Sequence, residues 1–222
     1  EIDYKDRIEV ESAQAILSSD PNGPSVTRNE FGDLIGVTTS YFNEENTLIR
    51  GADSNISYLL DIKDNGYLTF SLKGTKLDKF LTPGLAENQQ LRMINRVGKF
   101  NFNAHTHSLP KNRINSFINW NYKDYVFGLT SRYIDGYVNE RAITGLGITY
   151  GYENKIDSFL VHDLSLRKIL KVSSGELKLN LALINILDES APRLYDAPDF
   201  SFDTRVHDPR GRMLGVNIEY KF

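Results

Sequence analysis

Apolar and polar residues alternate along residues 211–222, the last stretch of the chain. Leu214, Val216, Ile218 and Tyr220 are apolar, and the residues between them are mostly small or polar. Strict alternation is the pattern of a β-strand with one apolar and one polar face. Comparable alternation predicts further strands at residues 1–10, 48–62, 67–77, 113–121, 125–133, 157–169 and 177–187. The sequence therefore predicts an all-β chain of about eight strands.

The predicted connections alternate between short turns and long loops. The turns lie at residues 63–66, 121–124 and 171–176, and the loops at residues 11–47, 78–112, 134–156 and 188–210. Antiparallel strands place successive connections at opposite ends of a sheet, so the short turns collect at one end. Outer-membrane barrels have this arrangement, and a strand of about 9–11 residues crosses a bilayer at a tilt. The pattern predicts an antiparallel transmembrane β-barrel segment with short periplasmic turns and long extracellular loops.

Aromatic residues support this prediction. The chain has 12 Tyr and 12 Phe but one Trp, and no apolar run approaches the roughly 18 residues of a membrane-spanning helix. The predicted strands place several aromatic residues near the short-turn end, where a barrel carries its aromatic girdle. These are Tyr67, Trp120, Tyr125, Tyr220 and Phe222.

Composition excludes several functional classes. The chain has no Cys, which excludes a disulfide scaffold and a thiolate metal site. Its formal net charge of −3 does not favour binding to nucleic acid. Four scattered His residues form no catalytic signature, and no glycine-rich phosphate loop is present. We expect a protein that is not an enzyme and carries no cofactor.

Two loop clusters are weak candidates for metal binding. His105 and His107 would share a face of an extended segment, but no third ligand is identifiable nearby. Carboxylates cluster in the last long loop without EF-hand spacing, and we expect a solvated loop there. The four carboxylates are Asp196, Asp199, Asp203 and Asp208.

Basic residues on the polar strand positions bear on the width of the barrel. Arg113, Arg132 and Arg167 are expected to face water, in a wide lumen. A closed eight-stranded barrel would have to supply partners for its inward charges in a narrow interior. Those charges are Lys73, Arg132, Arg167, Lys178, Glu219 and Lys221. The charges favour a fragment of a wider barrel.

The end of the strand at residues 177–187 resembles TonB-dependent outer-membrane receptors. In that family the penultimate strand typically ends in Asn-Leu-Phe-Asp, followed by prolines and a Tyr. Here Asn185-Ile-Leu-Asp188 is followed by Pro192 and Tyr195. The family's last strand then carries Gly-Arg, found here as Gly211-Arg212, and alternating aromatics. The resemblance is firm over residues 109–222 and looser over residues 1–108.

The last strand also resembles the C-terminal signal that the barrel-assembly machinery reads. Gly215, Ile218, Tyr220 and Phe222 fit its pattern of a Gly, alternating apolar positions and a final Phe. Met213 stands where a polar residue is expected. The resemblance implies the barrel-assembly machinery and outer-membrane lipid as partners.

The family has about 22 strands and a plug inside the barrel. The resemblance therefore implies that residues 1–222 are the C-terminal portion of such a barrel, without the plug domain and the N-terminal strands. The implied function is TonB-energised uptake of a scarce nutrient, a ferric siderophore or an oligosaccharide, across the bacterial outer membrane. The TonB complex would act through the missing plug. Arg193 and Tyr195, in the last long loop, are the candidates for contact with an extracellular small-molecule ligand.

Two alternatives remain open from the sequence. One is a free-standing eight-stranded outer-membrane barrel with a structural or adhesion role. The other is a soluble carbohydrate-binding β-domain, which would also show alternating strands.

Overall fold

A computed structural model describes residues 1–5, 7–11, 13–44, 46–85, 91–101, 107–140, 145–195 and 200–222. Its strands are β1 (Ile2–Tyr4), β2 (Arg7–Val10), β3 (Val26–Arg28), β4 (Leu34–Val37), β5 (Tyr41–Glu44), β6 (Thr47–Asp61), β7 (Tyr67–Leu85), β8 (Leu91–Asn95), β9 (Asn112–Tyr122), β10 (Tyr125–Ile134), β11 (Tyr137–Val138), β12 (Lys155–Ile156), β13 (Phe159–Val172), β14 (Gly175–Ile184) and β15 (Met213–Lys221). Its helices are α1 (Ala13–Ser19), α2 (Gly145–Thr149) and a 3₁₀ turn at Lys63–Asn65. Neither α-helix of the described ranges combines the length and the apolar character needed to cross a bilayer.

The main sheet contains the eight predicted strands. Its order is β1-β6-β7-β9-β10-β13-β14-β15, with the short β8 paired to β7. Strand β6 pairs antiparallel with β1, and the strands from β7 to β15 pair antiparallel with their neighbours in this order. In the described residues the order ends at β1 on one side and at β15 on the other, and the sheet does not close on itself. The all-β antiparallel prediction is confirmed.

The chain divides into two compact units, and strands β6 and β7 contribute to both. The first unit comprises Glu1–Gly51, Leu77–Leu109 and Asn139–Arg141. It contains β1 paired with the start of β6, the small sheets β2–β5 and β3–β4, and the end of β7 paired with β8. The second unit comprises Ala52–Lys76, Pro110–Val138 and Ala142–Phe222, and it holds most of the sheet.

One face of the second unit's sheet is largely apolar. Leu129, Leu164, Leu183 and Leu214 are aligned across four neighbouring strands. This row stays on the surface, since Leu164 is 43% exposed and Leu214 is 74% exposed. Exposed leucine rows are unfavourable in water, at about 25 cal/mol per Å² of apolar surface. The apolar face of this sheet therefore has no protein cover among the described residues.

The opposite face is polar, and its side chains bond from strand to strand. Arg167 Nε donates to Asn180 Oδ1 at 2.8 Å, and Asn180 Nδ2 donates to Asn217 Oδ1 at 3.2 Å. Lys178 lies 3.6 Å from a carboxylate oxygen of Glu219. Arg132 forms an ion pair with Asp163, with Nη1 and Oδ2 2.5 Å apart. Several of the basic residues expected to face water thus have polar partners on this face.

The short-turn end is built from tight hairpins. Gly66 has φ +81°, and a Cβ there would lie 1.9 Å from the backbone oxygen of Asn121. A Cβ at Gly175 would lie 2.1 Å from the backbone oxygen of Lys221. Only glycine permits these close approaches of a turn to the neighbouring strand. The turn predicted at residues 171–176 is shorter than expected, because β13 and β14 pair up to Val172 and Gly175.

Three sequence predictions are corrected. Residues 1–10 form two short strands, β1 and β2, that belong to different sheets. Strand β7 continues to Leu85, because β8 pairs with it inside the predicted loop 78–112. Strand β14 ends at Ile184 rather than at residue 187, because Asn185 takes a φ of +52°, which a strand does not accommodate.

Candidate functional site

The long-loop end of the second unit has its own protein core, here called the loop core. It consists of Tyr137, Ile156, Phe159, Leu194, Asp203 and His207, all at most 6% exposed. Strand β11 pairs with β12, so that Tyr137 lies opposite Ile156 at the base of one loop. The segment from residue 200 to residue 212 supplies Asp203 and His207. Two long connections are thereby packed against each other.

Polar side chains within the loop core are hydrogen-bonded. The Tyr137 hydroxyl donates to Asp203 Oδ2 at 2.8 Å and lies 3.1 Å from His207 Nε2. Because the single hydroxyl proton goes to the carboxylate, His207 Nε2 is the donor of the second bond. His207 Nδ1 is then the bare nitrogen, and it has no hydrogen-bond partner among the described residues. The imidazole is held in its neutral form.

Burial lowers the pKa of His207 below its ordinary value of 6.5. The Asp203 carboxylate opposes this shift, and the positive charge of Arg113 adds to it. Desolvation is the largest cause, since charging a buried imidazole removes its hydration without supplying an acceptor for the new proton. The loop core therefore favours the neutral form of His207 over the charged form.

The Asn185-Ile-Leu-Asp188 motif shapes the exit from β14. Asn185 Nδ2 donates to the oxygen of Glu189 at 2.8 Å, and its Oδ1 accepts the Glu189 amide at 2.9 Å. Asp188 Oδ1 accepts the amide of Arg212 at 2.8 Å. The motif thus closes the turn after β14 and ties it to the approach to β15. Its first and last residues have a structural role here.

A second group of loop side chains lies at the surface, here called the tyrosine–arginine cluster. It consists of Tyr150, Tyr152, Arg193 and Tyr195. Tyr152 stacks on Tyr195 with centroids 4.9 Å apart, and Tyr150 lies 6.3 Å from Tyr152. Arg193 lies 5.5 Å from the Tyr152 ring and donates to its hydroxyl at 3.0 Å. The two sequence candidates, Arg193 and Tyr195, are therefore brought together on Tyr152.

Leu194 lies between two members of the tyrosine–arginine cluster, and its burial contrasts with their exposure. Its side chain is 2% exposed and belongs to the loop core, whereas the neighbouring Arg193 is exposed and Tyr195 is partly exposed. The Leu194 amide donates to the oxygen of Ser201 at 2.8 Å, which fixes the local backbone. Burial of the middle residue leaves its two neighbours on the surface side of the same segment.

The tyrosine–arginine cluster suits anionic, aromatic or flat ligands. Arg193 forms no ion pair with a carboxylate of the described residues, and its guanidinium has five N–H donors. Guanidinium groups bind planar anions in a bidentate way, and tyrosine rings stack on flat groups. The arrangement can therefore bind an anionic aromatic ligand noncovalently.

The candidate metal-binding residues that the structure describes do not form a metal site. His105 lies outside the described residues, and the His107 side chain is exposed. Within the described ranges, no group of three potential metal-binding side chains occurs. Asp196 and Asp199 also lie outside the described residues.

The expectation of a solvated aspartate loop is wrong for Asp203, which is 3% exposed. Asp203 is buried because its carboxylate accepts hydrogen bonds from Tyr137 and from the Arg205 amide. Asp208 does lie at the surface, where its hydrogen bonds with Arg210 lower the pKa of its carboxyl.

The four residues of the proposed assembly signal lie on or next to the edge strand. Gly215 pairs with Ala182, Ile218 with Leu179 and Tyr220 with Leu177. Phe222 follows the strand and is 97% exposed. The Tyr220 hydroxyl lies 2.6 Å from Ser174 Oγ in the hairpin turn. Their exposure leaves them accessible for contact with another protein.

Sequence reasoning missed Tyr152 and His207. Tyr152 lies in a predicted irregular loop, and the signal was the Tyr150-Gly-Tyr152 pair of aromatics around a glycine. His207 lies four residues after Asp203, and the His207 amide donates a hydrogen bond to the Asp203 backbone oxygen at 3.0 Å. Neither signal is specific without the fold.

No protein-family model and no curated protein matches the chain. Solved structures do match it. The siderophore receptor PirA from Acinetobacter baumannii is 15% identical with a TM-score of 0.55, and the match covers 99% of this chain and 28% of PirA. The ferric enterobactin receptor of Pseudomonas aeruginosa, in complex with BCV-L6, is 15% identical with a TM-score of 0.55, and the match covers 97% of this chain and 27% of the receptor. A mutant of that receptor gives a TM-score of 0.54 at 14% identity.

These likenesses concern the fold. The chain is structurally similar to siderophore receptors and spans about a quarter of their length. The resemblance first noted at residues 185–188 and 211–222 is confirmed at this level, and now extends over nearly the whole chain.

Proposed function

We propose that residues 1–222 are the C-terminal portion of the barrel of a TonB-dependent outer-membrane receptor. The observation that carries the proposal is the second unit's sheet, which has one uncovered apolar face and one hydrogen-bonded polar face. A lipid-facing wall with an aqueous lumen needs these two faces. The structural likeness to siderophore receptors supports the same conclusion. Such a chain belongs to a transport protein rather than an enzyme.

The proposed location is the bacterial outer membrane. The short turns would face the periplasm and the long loops the outside, as in other barrels of this kind. The barrel-assembly machinery would read the β15 edge, including Gly215, Ile218, Tyr220 and Phe222. The TonB complex would act through a plug domain supplied by the rest of the protein.

The proposed ligand is a ferric siderophore, bound at the outer surface by the tyrosine–arginine cluster. Ferric complexes of catecholates are anionic and aromatic, which fits a guanidinium beside stacked tyrosine rings. The similar proteins are named as receptors for ferric enterobactin and siderophores, which favours this class over an oligosaccharide. An oligosaccharide would use the tyrosine rings but would leave the Arg193 charge unused.

Binding to the full-length protein tests this proposal. Arg193→Ala removes the cation of the cluster, and Arg210→Ala removes another loop arginine, which pairs with Asp208. We expect Arg193→Ala to weaken ferric-catecholate binding about 10- to 100-fold, the range for a lost charged hydrogen bond, and Arg210→Ala to leave it unchanged. Fluorescence quenching on titration with a ferric catecholate measures both.

Three results would contradict the proposal in different ways. Equal affinities for the two variants would remove Arg193 from the ligand site. Binding of a neutral oligosaccharide, with no binding of ferric catecholates, would replace the proposed substrate. If the full-length protein is released from cells without detergent, the membrane location itself fails and the soluble β-domain takes its place.

A further inference from the structure

The apolar face of the second unit's sheet carries a lysine near its short-turn end that breaks its pattern. Lys168 shares the face of Leu164, Leu166 and Leu170 in β13, and it pairs with Tyr125 of β10. In the described part of the chain, no carboxylate lies within ion-pair distance of its ammonium. A cation on a lipid-facing surface is costly unless an anion or water reaches it. This position therefore calls for a negatively charged partner from outside the sheet.

Aromatic residues surround this lysine at the short-turn end. Lys168 Nζ donates to the Tyr125 hydroxyl at 2.5 Å and lies 4.6 Å from the centre of that ring. Tyr122 pairs with Tyr125 across the hairpin, and Lys123 Nζ lies 5.0 Å from the Tyr122 ring. These four residues, Tyr122, Lys123, Tyr125 and Lys168, form what is here called the basic aromatic patch.

The patch lies next to a strongly apolar surface. Trp120 stacks on Phe127 with centroids 5.2 Å apart, and Phe127 stacks on Tyr125 at 6.0 Å. Rings and leucines therefore adjoin the two ammonium groups on the side towards the middle of the sheet. An amphipathic molecule with an anionic head and an apolar tail matches this order of groups along the strand.

We propose that the basic aromatic patch binds the phosphate of an anionic phospholipid in the membrane leaflet at the short-turn end. Lys123 and Lys168 contribute the positive charge. The Tyr125 hydroxyl accepts a hydrogen bond from Lys168 and has its own proton free to donate to a phosphate oxygen. The acyl chains then lie over Trp120 and Phe127. The site rests on the proposed membrane location but is independent of the siderophore.

The charge of the patch is not cancelled by its neighbours. Asp124 lies in the same turn, but it forms no ion pair with Lys123 or Lys168 in the described residues, and its backbone oxygen accepts the Ile169 amide at 2.9 Å. Lys178 gives a contrast on the adjoining strand, because it lies 3.6 Å from both Glu176 and Glu219. Lys178 therefore serves as a control for the loss of a lysine charge elsewhere in the same sheet, since it lies on the polar face and already has carboxylate partners.

The test uses the full-length protein reconstituted in phosphatidylcholine vesicles with a trace of photoreactive phosphatidylglycerol or photoreactive phosphatidylcholine. Crosslinks are mapped to the peptides that contain residues 122–125 and 168. We expect phosphatidylglycerol to label these peptides preferentially. Lys168→Gln and Lys123→Gln should each lower this preference about fivefold, the effect of one lysine near an anionic surface. Lys178→Gln should leave the preference unchanged, and Lys168→Arg should retain it.

Three outcomes overturn the inference. Equal labelling by the two lipids, or an equal loss in Lys178→Gln, would remove the specific site. Competition by inorganic phosphate as strong as by phosphatidylglycerol would make it a site for free phosphate rather than for a lipid. Vesicle flotation separates these results from a failure of the proposed function, since a protein that does not float with vesicles is not a membrane barrel at all.

Discussion

Apolar side chains are buried at the long-loop end of the second unit but exposed on the body of its sheet. In the loops, Leu194 is 2% exposed and Ile156 is 1% exposed. In the sheet, Val216 is 62% exposed and Ile218 is 65% exposed. Soluble sheet proteins do the reverse, since their strands bury an apolar face and their loops face water. The proposed membrane location requires this difference, since the sheet body would then face acyl chains and the loops would face water.

The two regions are also held together by different contacts. The sheet depends on backbone pairing and on side chains that bond to the next strand, such as Arg167 to Asn180. The loop end depends on contacts between distant parts of the chain, such as Tyr137 to His207 across 70 positions. We therefore expect substitutions in the sheet to report on the surrounding solvent, and substitutions in the loops to report on local packing.

The largest expected effect breaks the match between the sheet and its solvent. Leu164→Lys places a charge on the apolar face, and Ser165→Lys places the same charge on the polar face one residue later. In a bilayer, Leu164→Lys should cost about 2–4 kcal/mol of unfolding free energy, and Ser165→Lys should cost far less. Denaturant unfolding of the full-length protein in vesicles measures both. Similar small costs for the two variants would mean that the apolar face does not contact acyl chains.

A smaller and local effect is expected in the loop core. Tyr137→Phe removes the hydroxyl that bonds to Asp203 and His207, leaving buried polar atoms without that partner. The loops should lose about 1–3 kcal/mol of local stability, while the sheet is unchanged. Hydrogen exchange of the amides in β11 and β12 measures this loss. Tyr150→Phe is the control, because Tyr150 is 72% exposed, and faster exchange in that variant as well would point to a general loosening.

The smallest expected effect is a pH dependence confined to the loop core. The pKa of His207 is lowered in the folded loops by burial, with Asp203 opposing and Arg113 adding to the shift. As pH falls below 6.5, the opened loop binds a proton that the closed loop resists. Stability should therefore decrease below pH 6.5 and level off once the folded His207 is also protonated.

Hydrogen exchange of β11 and β12 above and below pH 6.5, corrected for the intrinsic exchange rate, checks this prediction. His207→Gln should abolish the pH dependence of the loops. The same slope in wild type and His207→Gln would assign the effect to another group.

Much of the sheet could be predicted from the sequence, because alternation is a property of neighbouring residues. Strands β9, β10 and β15 begin and end within about two residues of their predicted positions. The extension of β7 was missed because Pro83 and Gly84 normally break strands, and only pairing with Met93 and Arg92 of β8 keeps them in one.

The candidate site was predictable only in part. Arg193 and Tyr195 could be chosen because they lie in a long loop after a motif found at the same point in a known family. Their partner Tyr152 is 41 positions away from Arg193, in another loop, and no periodicity connects the two. The burial of Asp203 was likewise invisible, because a loop aspartate normally faces water unless donors from elsewhere surround it.

The sequence by itself determined most of the strands of the main sheet, which face of each of them is apolar and at which end the short turns lie. These properties follow from the two-residue repeat of an extended chain and from the demands of tight turns. Only the tertiary structure decided that the loops share a core around Tyr137 and His207, and that Lys168 stands on the apolar face beside Tyr125. Those arrangements depend on pairing and packing between segments far apart in the chain, which local pattern does not encode.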